Sequence, residues 1–279
     1  MPKFGITLPK MDDVFKSHPK PDVTKDLMAK YRLRAIDILQ NIMPAKIIDI
    51  ENLINQEKDS SSPFYTGQVF EAAYSAPKLI QPALIVDENE NKGSGESSLT
   101  DKPIMPADIT TCSTTGEEKP QDVRIGQHWF EVVKVNKNQM KCNEIVFKEL
   151  EELHMLAQDL KVWLEMEIPV VEDGNSFGAD VQAHLISQLT EAYKKSNTMQ
   201  NGVRAHHGDR LKLATDWAKY PNFEDYAAAI ANSDRFDHFL IRSFLRSILQ
   251  LYAGLLTKFE KNWTKVINPK GTHETGGMY

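Results

Sequence analysis

The residues that could do chemistry are few, and most are spaced wrongly for it. Glu151 and His154 share the Glu-x-x-His spacing that puts a carboxylate and an imidazole on one helix face, as in di-iron bundles. Such sites use two copies of the motif, and none of the other histidines has a glutamate three positions earlier. His206 and His207 are adjacent, so they point in different directions on a helix, and no third ligand is spaced to join them. A polar helix break is the expected reading there. Cys142 has no base placed beside it by the sequence and reads as a buried helical thiol. Gly93-Ser94-Gly95-Glu96 lacks the flanking strand and helix that a phosphate-cradling loop requires. No catalytic residue, metal or cofactor is therefore expected.

One run carries more information: Ile168-Pro169-Val170-Val171-Glu172-Asp173-Gly174-Asn175-Ser176-Phe177-Gly178. Pro169 ends a helix, Gly174 permits a positive φ, and Asn175 or Ser176 can cap the helix that follows. Asp180 then suits the positive end of that helix. An ordinary helix-helix turn would use the same residue types.

The flanking elements read as helices. From Asp22 to Glu57 the residues Val23, Leu27, Tyr31, Ile38, Ile42, Ile47, Ile50, Leu53 and Ile54 recur mostly at three- and four-residue steps. Pro44 interrupts them and predicts a kink or restart near Met43. Gln127 to Ile168 contains no glycine or proline, with a regular core from about Asn136. Ala179 to Asn201 again lacks both breakers, and Gly202 and Gly208 are expected to interrupt a polar continuation through Lys219. Asn222 to Asn268 carries Phe236, Leu240, Phe244, Ile248, Tyr252, Leu255, Phe259 and Trp263 on one helical period. A sheet has little support, although Val132, Val133 and Val135 are β-branched. The expected fold is all-α: an elongated up-down four-helix bundle with a long disordered loop between helices 1 and 2.

That loop holds the chain's charge imbalance. Asp87 to Asp122 contains nine acids and three lysines, a net of −6, which equals the net charge of all 279 residues. It has no aromatic and six apolar residues in 36, too few to offset chain entropy, so disorder is expected. The remainder is electrically balanced, which disfavours a nucleic-acid groove. No continuous apolar run reaches the roughly 18 to 20 residues of a membrane span. No secretory signal is visible and two cysteines make no disulfide framework, so cytoplasm and/or nucleus is expected. The organisation is residues 1–21 as an N-terminal extension, 22–57 as helix 1, and 58–126 as a variable, largely disordered linker. Residues 127–279 hold helices 2 to 4, with the turn at 168–178 and a tail at 269–279.

The run from Ile168-Pro169 to Gly178, followed by Val181-Gln182, resembles the activation loop of the 11S proteasome activators, also called REG or proteasome activator 28. In that family the loop reads Ile-Pro, a variable pair, then Glu-Asp-Gly-Asn-Asn-Phe-Gly, and here only Ser176 departs from it. Cys142-Asn143-Glu144, Pro44 with Lys46, Gly208-Asp209, Asp225-Tyr226, Phe259-Glu260-Lys261 and the terminal Met278-Tyr279 add agreement in order and spacing. Residues 58–126 lack the alternating Lys/Glu run of some members, and the segment before Asp22 has no counterpart.

The resemblance implies a non-enzyme that assembles as a homoheptameric ring on the 20S proteasome alpha ring and opens its gate without ATP. It assigns Val171, Glu172, Asp173, Gly174, Asn175, Ser176, Phe177 and Gly178 to the activation loop. Gly277, Met278 and Tyr279 become the proteasome-binding C-terminus, seated in pockets between alpha subunits, with no nucleic acid or membrane partner. A helical scaffold or adaptor is the alternative, and a metal-dependent oxidase on the Glu151/His154 face a lower one.

Overall fold

The computed structural model describes residues 23–67, 76, 79–80, 110–111, 123–125, 128–130, 133–169 and 177–270. The fold is all-α with four helices, as the sequence predicts. Helix 1 is continuous and has three parts: α1 (Val23–Asp37), a π-helical segment (Ile38–Ile42) and α2 (Met43–Asn55). The others are α3 (Lys137–Glu167), α4 (Phe177–Lys219) and α5 (Asp225–Ile267).

Pro44 explains the composite first helix. Its missing N–H and its ring cannot sit in an ordinary helix interior, and the wider turn just before it absorbs the conflict. The Met43 N–H bonds the Ile38 carbonyl five residues back, and the α-helix restarts at Met43. The extra residue of a π turn also shifts the helix phase. The buried face is Ala35, Ile38, Leu39, Met43 and Ile50, while Val23 and Leu27, expected on the stripe, are exposed. α3 starts where Asn136 Oδ1 accepts the backbone N–H groups of Asn138 and Gln139, both at 3.1 Å, as an N-cap does.

The chain divides into two compact units, to each of which α3, α4 and α5 contribute residues. The first comprises Met1–Ile54, Val146–Gln200 and Phe244–Tyr279. Within it, side-chain contacts rise along one helix as they fall along the next, so neighbours are antiparallel. Arg34 Nε meets Asp159 and Lys46 meets Glu149 between helix 1 and α3, at 3.2 and 2.9 Å. His154 meets Ser196 between α3 and α4, and Gln182 meets the Val266 carbonyl between α4 and α5. The interior contains Leu150, Leu153, Leu160, Leu164, Leu185, Leu189, Ile248, Tyr252 and Phe259, all essentially without solvent contact. Burying each such side chain is worth about 1.5–3 kcal/mol. Burial pulls the Lys46 ammonium down, but Glu152 and Glu149 hold it above its usual range.

The second unit comprises Asn55–Ile145 and Asn201–Ser243. Its apolar cluster is Trp217, Ala227 and Ile230, packed by Val133, Leu213, Ala214, Ala218 and Tyr226. Here two expectations are corrected. α4 runs unbroken through Gly202 and Gly208, and His206 is buried against Asp237 at 2.6 Å where a polar break was expected. On α5 the buried face uses Asp234 and His238, while Phe236, expected on the buried stripe, is 60% exposed with Phe239 at 57%. Polar groups can occupy a core when hydrogen-bonded. Arg210 Nε donates to Asp234 at 2.8 Å, and the Pro63 carbonyl accepts from His238 Nε2 at 3.1 Å and Cys142 Sγ at 3.2 Å.

By composition and length alone, α5 passes for a membrane-crossing helix, although the sequence shows no continuous apolar run. Its apolarity is split between the buried stripe and the exposed phenylalanines. A small sheet is a further correction: β1 (Leu79–Ile80), β2 (Thr110–Thr111), β3 (Val123–Ile125) and β4 (His128–Phe130) pair antiparallel in the order β1-β4-β3-β2. Strands of two or three residues are too short for periodicity to reveal. Most of Asp87 to Asp122, where disorder is expected, lies outside the described residues.

His238 makes the second unit acid-sensitive. Burial, with a smaller contribution from Arg242 and against the bond to Pro63 and the charge of Glu57, lowers its pKa from 6.5 to about 4. A depressed folded-state pKa means that the stability is present above pH 6.5 and is lost as pH falls toward 4. Thermal melts should show a decline across that window, at about 2–4 °C per kcal/mol. His238→Gln, which keeps a donor for Pro63, should flatten it; an unchanged decline would contradict this assignment.

Candidate functional site

Three chain segments begin or end at one place in the first unit. α3 stops at Glu167 because Ile168 precedes proline, and a residue before proline is driven out of the α region. α4 begins at Phe177, and α5 stops at Ile267, its last turn closed by the Asn268 N–H on the Thr264 carbonyl at 3.1 Å. The expected loop residues Val171, Glu172, Asp173, Gly174, Asn175 and Ser176 and the tail residues Gly277, Met278 and Tyr279 lie outside the described residues. Phe177 and Gly178 are described, and their surroundings define the site.

Phe177 is 61% exposed, and the Lys265 ammonium stands 5.6 Å from its ring centre. Such a contact at an exposed position is worth about 0.5–1 kcal/mol. Gly178 is buried, and a Cβ added there would overlap the backbone of Pro269, where the tail leaves α5. Only glycine permits that approach without moving the backbone. Arg32 grips Glu167 with two parallel bonds, Nε to Oε1 at 2.9 Å and Nη2 to Oε2 at 2.8 Å. Because Arg32 is largely exposed, this pair adds about 1 kcal/mol or less.

Gln182 lies one turn beyond Gly178 and has no solvent exposure. Its Nε2 donates to the Val266 carbonyl at 2.8 Å and makes a longer contact, 3.5 Å, with the Glu167 carbonyl. Both acceptors are in terminal helix turns, where carbonyls lack intrahelical donors. The sequence contained a signal for Gln182 beyond its place in the motif. Gly178, Gln182, Leu185, Leu189 and Ala192 form one buried face of α4, and a polar residue on such a face requires a partner. Lys265, Arg32 and Pro269 carried no comparable signal, because their partners are distant in sequence.

The contacts of the described residues hold and orient the helix ends. Among the described residues no three His, Cys, Asp or Glu side chains converge on a metal position. His154 Nδ1 lies 3.2 Å from Ser196 Oγ and its ring rests on Tyr193, with centroids 4.0 Å apart. Burial pushes the Cys142 thiol up to about 12, which suppresses the thiolate at neutral pH.

Two glycines give a controlled test of the Gly178 contact. Gly178→Ala should destabilise the protein by about 1–3 kcal/mol through overpacking, and should speed tryptic cleavage at Lys270. Gly208→Ala should be neutral or stabilising by up to about 1 kcal/mol, since nothing lies within 4 Å of the added carbon. Denaturant unfolding that ranks the two variants the other way would refute the close-packing account.

A family model described as proteasome activator PA28, C-terminal, matches residues 132–276, more than half of the chain. The chain belongs to the PA28 proteasome activator family. The matched region contains the whole of α3, α4 and α5 and therefore every helix end just described. The family is described as one of proteasome activators, a regulator's role rather than a catalyst's. Proteasome activator complex subunit 3 of Homo sapiens is 22% identical over 239 residues, covering 86% of this chain and 88% of its own. The Gallus gallus protein of the same name is 21% identical over the same coverage. In structure, the chain is similar to the 11S subunit of the Plasmodium falciparum proteasome, PA28, with a TM-score of 0.67 and 21% identity. That match covers 94% of this chain and all of the other, and it establishes the shared fold.

Proposed function

We propose that this chain is the subunit of an ATP-independent activator of the 20S proteasome, acting in the cytoplasm and/or nucleus. Seven copies form a ring that caps the core particle. Gly277, Met278 and Tyr279 bind pockets between alpha subunits, and residues 171–178 open the gate. The observation that carries this reading is the meeting of Gly178 with Pro269: the residues proposed to open the gate and those proposed to bind are rooted at one point of the subunit. Ring assembly is supported by the large apolar side chains a single chain leaves exposed, among them Leu33, Ile48, Leu211, Phe236 and Phe239. A head-to-tail interface that closes covers such surfaces in every copy.

Native mass spectrometry at micromolar concentration should give a closed assembly of about seven copies. Adding that assembly to purified 20S particles without ATP should raise hydrolysis of a fluorogenic peptide. A monomer, or unchanged hydrolysis at saturating protein, would overturn the proposal.

A further inference from the structure

Gln182 is a buried amide whose two contacts belong to different functional segments. The Glu167 carbonyl closes the helix that precedes the loop, and the Val266 carbonyl lies in the last turn of the helix that precedes the tail. A helix end has no donors of its own for these carbonyls, so one side chain supplies a donor to both ends. Four residues before it, Gly178 brings the start of α4 against the Pro269 backbone. Lys265 reaches the Phe177 ring across the same junction. Three independent contacts thus converge on the first turns of α4, and Gln182 contacts the ends of both α3 and α5.

We propose that Gln182 is a positioning residue that sets the spacing between the two helix ends flanking residues 170–176 and ties that spacing to the root of the tail. This rests on the gate-opening function proposed above. In that setting Gln182 transmits tail engagement into placement of Phe177 and Gly178. The tail residues that bind lie further along the chain, so Gln182 governs activation and leaves attachment largely alone.

Gln182→Met tests this, since it keeps the side chain's length and removes both donors. Leu189→Val, which loosens the same unit without touching a helix end, is the comparison. In the full-length protein, hydrogen exchange should rise by about tenfold in peptides covering 165–182 and 262–270 together. Leu189→Val should raise exchange evenly through the unit. With 20S particles, Gln182→Met should lower maximal stimulation by about fivefold while half-saturation shifts by less than about twofold. Exchange that rises in one peptide alone or in neither, or a stimulation loss no larger than that of Leu189→Val, overturns the proposal. If the parent protein itself fails to stimulate hydrolysis, the gate-opening function is wrong and the exchange result alone decides the role of Gln182.

Discussion

Replacing Asn175 with tyrosine is expected to yield rings that bind 20S particles at near-parental concentrations and stimulate peptide hydrolysis about tenfold less or worse, the scale of a shifted open-gate population. Asn175 follows Gly174 in the sequence joining α3 to α4. Gly178 against Pro269, Gln182 on its two carbonyls and Arg32 on Glu167 all lie outside the replaced position. A bulky ring at Asn175 therefore changes the proposed activating surface and leaves the buried stripe from Gln182 through Leu185 and Leu189 unaltered. Attachment is proposed to reside in the tail, so affinity should persist. Because one ring serves one gate, mixed rings should be impaired beyond the fraction of variant subunits they contain. Parental stimulation by Asn175→Tyr at saturating concentration would show that the segment is merely a turn.

Deleting Met278 and Tyr279 should have the opposite signature, with loss of 20S binding and an intact ring. A short tail binds weakly alone, and tethering several copies on one ring raises overall avidity by about 10² to 10⁴ over a single site. Removing the proposed binding residues from every copy should abolish both the single-site affinity and its multiplication. The exposed helix faces proposed to form the ring, such as those bearing Phe236 and Phe239, are not touched by the deletion. Native mass spectrometry should therefore still give about seven copies while co-sedimentation with 20S particles disappears. Undiminished co-sedimentation of the truncated ring would relocate attachment to another surface.

The helices were legible because helical periodicity is a local property. Asn136 before α3, Pro169 after it and the restart at Met43 each follow from the chemistry of one or two residues, and the structure places the helix limits accordingly. The family resemblance was legible for a related reason, since the run from Ile168 to Gly178 that carries it is written in consecutive residues. Burial was read less well. On α5 the apolar pattern pointed to Phe236, whereas Asp234 and His238 face inward with partners at Arg210 and Pro63. On helix 1 the expected stripe holds at Ile38 and Ile50, but its first members, Val23 and Leu27, are exposed. At Gly202 and Gly208 a helix break was expected, yet α4 continues, because tertiary packing outweighs the cost of about 1 kcal/mol per helical glycine.

The sequence by itself determined that this chain is helical, where three of its four helices end, and that its loop run matches the PA28 family. Each of these depends on residues within a few turns of one another. Only the tertiary structure decided that Gly178 must be glycine because Pro269 approaches it, and that Gln182 joins the ends of α3 and α5. Those pairs lie far apart along the chain, and no local spacing records which distant backbone will arrive beside a given side chain.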